Sequence, residues 1–371
     1  MKIERIELHH IRQPLVHPFR TSFGVELERP CILVAVYADG LVGWGECPTG
    51  DGPWYSAETT ATAWHALSDF LAPAVVGQQV AHAADLLALT KAIRGHNMAR
   101  AGLENAFWDL LARSRDLPLA TLLGGVRDRV PVGVSIGIQP TLGQLLARVD
   151  AFIDRGYGRI KVKIEPGWEQ EPLTQIRARH ATIPLMADAN SAFTLADAPL
   201  FRALDDLGLL MIEQPLAHDD IADHARLQAQ IATPLCLDES IHGVADAQAA
   251  IDLQACRIIN MKVARVGGLT AARRIHDLAQ AAGWPLWCGG MLETGVGRAC
   301  NIHLATLPNF ILPGDISATD RYYAEDIAEP AFLLNREDST MSVPAGPGIG
   351  VDVMPHRVAR YRQDLAVFTP Q

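Results

Sequence analysis

Five charged residues recur along the middle of the chain at nearly constant spacing. Lys163, Asp188, Glu213, Asp238 and Lys262 lie 25, 25, 25 and 24 residues apart, and each closes a short apolar run. Charged groups are costly to bury alone, so this pattern indicates one shared, partly buried site. Three neighbouring carboxylates would repel one another, and a divalent cation with oxygen ligands relieves that repulsion. The spacing predicts that Asp188, Glu213 and Asp238 bind Mg²⁺, with Mn²⁺ tolerated.

The lysines at the two ends of this series indicate what chemistry the site performs. A substrate carboxylate at the metal, with an ammonium group on each face, suits removal of the α-proton, because the cation stabilises the charge that develops. Lys163 can accept a proton only if its pKa is lowered. The metal charge and the nearby Lys161 would both lower that pKa.

Each of these residues also has a simpler interpretation when it is taken alone. A strand-end aspartate often caps the next helix, and Lys161 with Lys163 could form a solvated strand edge. Glu213 could simply end its strand. The common register of the five residues favours a single site instead. Asn190, two residues after Asp188, either caps the following helix or contacts the substrate.

Short β-rich runs alternate with helical stretches through the middle of the chain. This alternation predicts parallel strands joined by helices, and eight runs favour a closed barrel over an open sheet. In such a barrel the carboxyl ends of the strands surround the site, and the second and sixth strands lie on opposite sides. The runs are Val132 to Ile136, Arg159 to Lys163, Leu185 to Asp188, Leu210 to Glu213, Leu235 to Asp238, Ile258 to Lys262, Leu286 to Cys288 and Phe310 to Leu312.

The regions on either side of these runs have a different texture. Residues 1 to about 50 predict strands, with an Asp39-Gly40 turn, and the stretch from Ala57 to about Arg113 predicts helices, with Asp109 paired to Arg113 on a helix surface. The last 50 or so residues are rich in turns. We expect that tail to return to the N-terminal part.

Composition excludes several classes of function. The formal net charge is -10 with no long basic run, which argues against nucleic acid or an anionic membrane as partner. No apolar run approaches the ~20 residues of a membrane span, and charges interrupt the N-terminal stretch, so a signal peptide is not expected. The 6 scattered cysteines predict buried thiols in a reducing compartment. We therefore expect a cytoplasmic enzyme acting on a small molecule.

Several motifs around these residues resemble those of the enolase superfamily, in its muconate-lactonizing-enzyme group. They are Lys161-Val162-Lys163, Asp188-Ala189-Asn190, Ile212-Glu213-Gln214-Pro215, Leu237-Asp238-Glu239-Ser240 and Asn260-Met261-Lys262. The resemblance covers nearly the whole chain. It implies a (β/α)7β barrel over residues 126–320, and an α+β capping domain made of residues 1–125 with the tail 321–371. It also implies Mg²⁺ on the three carboxylates, a Lys163 and Lys262 acid/base pair, a small carboxylate substrate and a homo-oligomer.

A narrower resemblance is to o-succinylbenzoate synthases and N-acylamino acid racemases. It rests on the stretches Asn97 to Arg100, Cys288 to Ala299 and Leu312 to Ser317. It implies that the loop Arg20 to Gly24 closes over a substrate pocket lined by Ser135, Lys161, Asn190, Gly290, Met291 and Leu292. Gly289 and Gly290 would let the backbone approach a ligand closely, and Met291 with Leu292 would form an adaptable apolar wall.

Two reactions of such enzymes share the first proton transfer. In the dehydration of 2-succinyl-6-hydroxy-2,4-cyclohexadiene-1-carboxylate, Lys163 would take the α-proton and return it to the departing hydroxyl group, while Lys262 stays charged. In N-succinylamino acid racemisation both lysines must titrate. Arg265, three residues after Lys262, either tunes that lysine or lies on the surface. We expect a synthase that also racemises, with racemisation as the main activity being the alternative.

Two hypotheses of another class are a catalytically silent binding barrel and a Schiff-base aldolase that uses Lys163. The intact carboxylates and lysines disfavour the first, and a metal site beside the lysine disfavours the second. Exchange of the α-proton in D₂O separates all of these. Exchange that persists after treatment with EDTA would exclude the metal-dependent reaction.

Overall fold

The structure is a computed structural model that describes residues 1–21 and 24–370 of the chain. Its strands are β1 Arg5–Thr21, β2 Gly24–Ala38, β3 Leu41–Cys47, β4 Arg129–Pro131, β5 Val134–Ile136, β6 Ile160–Lys163, β7 Leu185–Asp188, β8 Ile212–Glu213, β9 Leu235–Leu237, β10 Ile258–Met261, β11 Leu286–Cys288, β12 Ala328–Glu329, β13 Thr340–Ser342, β14 Asp352–Val353 and β15 Arg362–Phe368. The predicted loop Arg20 to Gly24 includes Ser22 and Phe23, which lie outside the described residues.

Helices connect most of these strands and pack on both domains. They are α1 Thr60–Ala66, α2 Ala72–Val75, α3 Ala83–Thr90, α4 Asn97–Ser114, α5 Leu119–Leu123, α6 Leu142–Asp154, α7 Gln170–Arg179, α8 Ala198–Leu204, α9 Ile221–Gln228, α10 Val244–Leu253, α11 Leu269–Ala281, α12 Gly295–Leu304 and α13 Pro355–Tyr361. A π-helical turn, Leu67–Leu71, joins α1 to α2. Within the described ranges, we find no helix with the length and apolar character needed to cross a membrane.

The N-terminal strands form an antiparallel sheet that packs on α4. β2 and β3 are joined by Asp39 and Gly40, whose φ angles of 51° and 75° suit the twist of a two-residue hairpin. Gly43 and Gly45 let this sheet approach the helix closely. A Cβ atom on Gly43 would lie 2.2 Å from the carbonyl oxygen of Ala106, so a side chain there would force sheet and helix apart.

The tail contributes the outer strand of this same sheet. The strand order is β15-β1-β2-β3, and Ile6 lies opposite Phe368 while Leu8 lies opposite Ala366. Ile6 and Leu8 are fully buried among the core side chains of the sheet and its helices. The tail therefore holds one edge of the N-terminal sheet.

The middle of the chain forms a curled parallel sheet. In the described part of the molecule its order is β5-β6-β7-β8-β9-β10-β11, so each strand pairs with the next one along the chain. Helices α6 to α11 fill the connections, and apolar side chains such as Leu185, Leu235 and Ile259 are fully buried in the core. The predicted fold class, a barrel with an α+β capping domain, is confirmed.

The eighth predicted run, Phe310 to Leu312, does not form a regular strand in the described structure. Isolated parallel bridges join Phe310 to Leu286 and Gly314 to Val132. Pro313 has no N–H to donate to a ladder, which explains why regular pairing fails at this point. The segment still closes the barrel, because its backbone bonds to both edge regions, with Gly133 N donating to Gly314 O at 2.7 Å.

Asp109 on α4 joins three parts of the fold. It pairs with Arg113 at 3.0 Å as predicted, but it is fully buried, so its predicted place on the helix surface is wrong. The backbone N–H groups of Trp44 and Ile349 donate to it at 2.8 and 2.7 Å. The carboxylate is buried because it satisfies two backbone donors that would otherwise lack partners. All 6 cysteines are free and buried, as predicted.

Candidate active site

The five periodic charged residues meet at the carboxyl end of the barrel strands. Lys163 and Asp188 end β6 and β7 and are paired in register, as are Asp188 and Glu213. Asp238 and Lys262 follow β9 and β10 by one residue. All five are buried, with exposed fractions between 0% for Glu213 and 8% for Lys262. Sequence spacing thus translates directly into spatial proximity.

A cavity of about 530 Å³ lies over this end of the barrel and is covered by the capping domain. It is lined by most of the residues that the sequence singled out: Ser135, Lys161, Lys163, Asp188, Asn190, Lys262, Gly290, Met291 and Leu292. Glu213, Asp238 and Arg265 are buried and are not among its described lining residues. The capping domain contributes Arg29 and Tyr55, among others.

Lys163 is held by two residues from the end of β7. Its Nζ atom lies 2.8 Å from Oδ2 of Asp188 and also donates to Oδ1 of Asn190. The Nδ2 atom of Asn190 in turn donates to Oε1 of Glu239 at 2.9 Å. The turn that follows is capped by Thr194, so the helix-cap interpretation of Asn190 is wrong. Asn190 instead positions Lys163 at the cavity wall.

Lys262 has partners from both domains. Its Nζ atom donates to Oδ2 of Asp238 at 2.9 Å and to Oη of Tyr55 at 3.0 Å, and it lies 4.3 Å from the centroid of the Tyr55 ring. Burial alone would lower the pKa of Lys262. Tyr55, Glu239 and Glu213 outweigh burial and raise that pKa above its ordinary value.

Lys161 lies at the base of the cavity among three carboxylates. Its Nζ atom is 2.6 Å from Asp315, 2.9 Å from Glu213 and 3.2 Å from Asp188. Burial alone would lower its pKa, but these carboxylates together raise it, so Lys161 stays charged. Its ammonium group also lies 4.9 Å from the centroid of the Trp287 ring.

Asp315 carries a perturbed pKa for the matching reason. Burial alone would raise its pKa, but the positive charges of Arg159 and Lys161 outweigh burial and lower the pKa from 3.8 to about 2. Asp188 behaves in the same way: burial is outweighed by Lys163 and Lys161, and its pKa is lowered. Glu213 is different, since burial and the neighbouring Asp188 raise its pKa. The pKa values of these carboxyl groups are thus shifted in opposite directions by their surroundings.

Arg265 is buried, with 3% of its surface exposed, so its interpretation as a surface arginine is wrong. Its Nε and Nη2 atoms donate to the backbone oxygens of Ile241 and Asn260 at 2.7 and 2.6 Å. Its Nη1 atom donates to Oη of Tyr55 at 3.2 Å and pairs with Asp238. Arg265 therefore contacts the two partners of Lys262.

Gly289 and Gly290 are required by the protein's own packing. A Cβ atom on Gly289 would lie 2.3 Å from Oδ1 of Asn260, and one on Gly290 would lie 2.9 Å from the backbone oxygen of Asp315. The predicted close approach of a ligand is therefore not needed to explain Gly289. Leu292 has a φ angle of 60°, which turns the chain at the cavity wall.

The donor set suits a hard divalent cation in type. Asp188, Glu213 and Asp238 offer carboxylate oxygens from three successive parallel strands, and Oε2 of the adjacent Glu239 is buried without a hydrogen-bond partner in the described structure. As the described side chains lie, no three such groups converge on one point. Ammonium groups contact the three carboxylates instead, supplying the positive charge that they need.

Sequence reasoning missed several residues of the site. Glu239, Asn260 and Asp315 lie inside motifs that were recognised, so their position next to the periodic residues was an available signal. Asn260 donates to Oε1 of Glu213 at 2.6 Å. Tyr55 gave no signal, because it reaches the site from the other domain and belongs to no periodic pattern.

Family models match both parts of the chain. Residues 5–124 match the mandelate racemase / muconate lactonizing enzyme N-terminal domain, and residues 144–357 match the enolase C-terminal domain-like family.

Individual relatives are similar over nearly their whole length. An o-succinylbenzoate synthase from Geobacillus stearothermophilus is 50% identical over 369 residues, which cover 99% of this chain and 98% of that protein. An N-succinylamino acid racemase from Amycolatopsis sp. is 49% identical over 356 residues, covering 96% of each. A solved structure of an enolase superfamily member from Listeria innocua has a TM-score of 0.96 at 38% identity, and covers 100% of this chain and 99% of that chain.

Proposed function

The chain belongs to the mandelate racemase / muconate lactonizing enzyme family of the enolase superfamily, and we propose that it is an o-succinylbenzoate synthase that also racemises N-succinylamino acids. The observation that carries this proposal is the placement of Lys163 and Lys262. Both line one cavity, on strands separated by three others in the curled sheet. A substrate between them has an amine on each face.

Asp188, Glu213 and Asp238 would hold Mg²⁺, or Mn²⁺ in its place. When bound, the cation would stabilise the second negative charge that develops on the substrate carboxylate as the α-proton leaves. Lys161, which its three carboxylate neighbours keep charged, adds a fixed positive charge at the base of the cavity. Lys161 and the bound cation would thus place positive charge in the site before the substrate binds, and this charge favours removal of the α-proton.

In the dehydration, Lys163 removes the α-proton of 2-succinyl-6-hydroxy-2,4-cyclohexadiene-1-carboxylate. The C–H electron pair moves into the ring, the C–OH bond breaks, and the proton on Lys163 passes to the departing hydroxyl group to give water. Asn190 and Asp188 hold the Nζ atom of Lys163 for both transfers. Lys262 remains protonated on the other face and stabilises the anionic intermediate.

In the racemisation, one lysine removes the α-proton and the other delivers a proton to the opposite face. Met291 and Leu292 offer an apolar wall for the amino-acid side chain. Arg265 supports this activity, because it contacts both Asp238 and Tyr55 and so limits the movement of the two side chains that hold Lys262. The 49% identity to an N-succinylamino acid racemase favours this second activity on the same site.

The test of the proposal is a pair of assays on one purified preparation. With Mg²⁺ present, we expect formation of the aromatic product from the cyclohexadiene substrate, and incorporation of deuterium at Cα when an N-succinylamino acid is incubated in D₂O. EDTA should stop both, and added Mg²⁺ should restore both. Deuterium exchange without any dehydration would reverse the order of the two activities. Neither reaction in the metal-loaded protein would refute the proposal.

A further inference from the structure

Among the described residues of the capping domain, only Tyr55 forms a hydrogen bond or an ion pair with Lys262. It comes from the segment between β3 and α1, is half-buried, and lines the cavity. Its hydroxyl group donates to Oδ1 of Asp238 at 3.2 Å. The same oxygen accepts from Nζ of Lys262 at 3.0 Å and from Nη1 of Arg265 at 3.2 Å.

These three contacts use the full hydrogen-bonding capacity of a phenol. The O–H group has one donor, which goes to the carboxylate, and two lone pairs, which face the two cations. The aromatic ring adds a second attraction, because the ammonium group of Lys262 lies 4.3 Å from its centroid. Tyr55 therefore fixes both the distance and the direction of the Lys262 side chain.

The two lysines differ in where their support comes from. Lys163 is held by Asp188 and Asn190, both from the end of β7 in the barrel. Lys262 is held by Asp238 from the barrel and by Tyr55 from the capping domain. A change in the capping domain at Tyr55 will therefore act on one face of the substrate and spare the other.

The segment that carries Tyr55 is fastened at its base. Gly50 and Thr59 form a bridge, and the backbone N–H of Thr60 donates to Gly50 O at 2.8 Å. Glu58 accepts from the backbone N–H of Met98 at 2.8 Å at the start of α4. Such fixed ends let a short segment present one side chain in a defined place.

We propose that Tyr55 is a positioning residue for Lys262, so that proton transfer on the Lys262 face of the cavity depends on the capping domain while transfer on the Lys163 face does not. This inference rests on the proposed function, because it requires proton exchange at the substrate α-carbon. Tyr55 then has a larger role in the racemisation than in the dehydration. The dehydration needs only the charge of Lys262, which survives a loss of orientation.

The test follows α-proton exchange in D₂O from each enantiomer of an N-succinylamino acid separately. Lys262→Ala first identifies the enantiomer whose proton faces Lys262. In Tyr55→Leu, which lacks both ring and hydroxyl, exchange from that enantiomer should fall about 10²-fold, as for a misplaced catalytic group. In Tyr55→Phe, which keeps the ring, the fall should be about tenfold, the size of one hydrogen bond to a charged group. Exchange from the other enantiomer should stay within about twofold in both variants.

Two controls separate positioning from general damage. Tyr37→Phe removes a hydroxyl that donates to Glu7 at 3.0 Å in the capping sheet, outside the cavity lining, and should leave both exchange rates unchanged. All exchange rates are measured at saturating Mg²⁺, because the Tyr55 hydroxyl group also donates to Asp238 and its loss is expected to weaken metal binding. At saturating Mg²⁺, an equal loss from both enantiomers or an unchanged rate in Tyr55→Leu would each overturn the inference. Absence of exchange from both enantiomers in the parent protein would overturn the proposed racemisation, and this inference with it, while leaving the dehydration to its own assay.

Discussion

The Nζ atom of Lys161 lies 2.6 Å from Oδ2 of Asp315, and this contact joins the second barrel strand to the segment that closes the barrel. Asp315 also lies 2.7 Å from Arg159, the residue directly before the same strand. One carboxylate thus compensates two buried cations. These contacts link the least regular part of the barrel to the charged base of the cavity.

Asp315→Asn should destabilise the fold strongly. It leaves Lys161 and Arg159 buried with less compensating charge, and removal of one partner from a buried pair costs about 3–5 kcal/mol. Urea unfolding gives the free energy. The matched control is Asp338→Asn, which breaks the exposed pair with Arg129 and should cost less than about 1 kcal/mol. Similar losses in the two variants would show that Asp315 has no special structural role.

Replacing each lysine should separate the two reactions. In Lys262→Ala, racemisation should disappear in both directions, while dehydration should retain part of its rate because Lys163 performs both of its proton transfers. In Lys163→Ala both reactions should fall by about 10²–10⁴-fold, the usual contribution of a positioned acid or base. Steady-state kinetics with both substrates measures this. Equal residual dehydration in the two variants would contradict the assigned roles.

Glu213→Gln should weaken Mg²⁺ binding. Loss of outer-shell groups around metals already lowers affinity by about 10–100-fold, and loss of a carboxylate ligand should cost at least as much. Calorimetric titration with Mg²⁺ is the direct measurement, and it needs no substrate. Glu337→Gln, at an exposed position away from the cavity, is the matched control. Unchanged affinity in Glu213→Gln would remove this residue from the metal site.

Arg265→Lys should reduce racemisation more than dehydration. The guanidinium group bonds to Ile241, Asn260 and Tyr55 from three separate nitrogen atoms, a pattern that one ammonium group cannot reproduce. In this variant we therefore expect Tyr55 and Asp238 to hold the side chain of Lys262 less firmly. The ratio of the two kcat/KM values is the readout, with the parent protein as reference. A proportional loss of both activities would show only damage to the site as a whole.

Glu104 should make stability depend on pH. It lies on α4 of the capping domain and accepts from Thr270 N on α11 of the barrel at 3.2 Å. Burial raises its pKa from 4.5 to about 7. The folded protein thus keeps a proton that the unfolded chain releases near pH 4.5, so this contribution to the free energy of unfolding is full below that pH. It is lost as the pH rises to about 7.

Glu104→Gln should therefore flatten the profile. The amide is neutral at every pH, so its free energy of unfolding should fall less between pH 4.5 and 7 than that of the parent protein. Urea titrations across that range supply the comparison, and Glu337→Gln serves as the exposed control. Parallel profiles for the parent protein and Glu104→Gln would exclude this carboxyl as a source of the pH dependence.

The sequence predicts the barrel well because its repeat is local. Each strand, helix and strand-end charge recurs about every 25 residues, so the register of Lys163, Asp188 and Glu213 follows from counting along the chain. Phe310 to Leu312 resembled the other runs in composition. It fails as a strand because Pro313 interrupts its hydrogen bonding, an effect that hydropathy alone does not reveal.

The parts that sequence could not predict depend on contacts between distant segments. Lys262 and Tyr55 are 207 residues apart, and the burial of Asp109 depends on a backbone group 240 residues later in the chain. For the same reason, the sequence does not predict whether Arg265 is buried or exposed. Its three-residue distance from Lys262 is known from sequence, but the direction in which it points is set by Tyr55 and Ile241.

The pairing of β15 with β1 has a consequence for the order in which the protein assembles. More than 350 residues separate Ile6 from Phe368, its partner in the sheet. A ribosome therefore releases every strand of the barrel before it releases the one that completes the first sheet. All strands of the barrel are synthesised before β15. The catalytic barrel can therefore fold while the N-terminal sheet still lacks its edge strand.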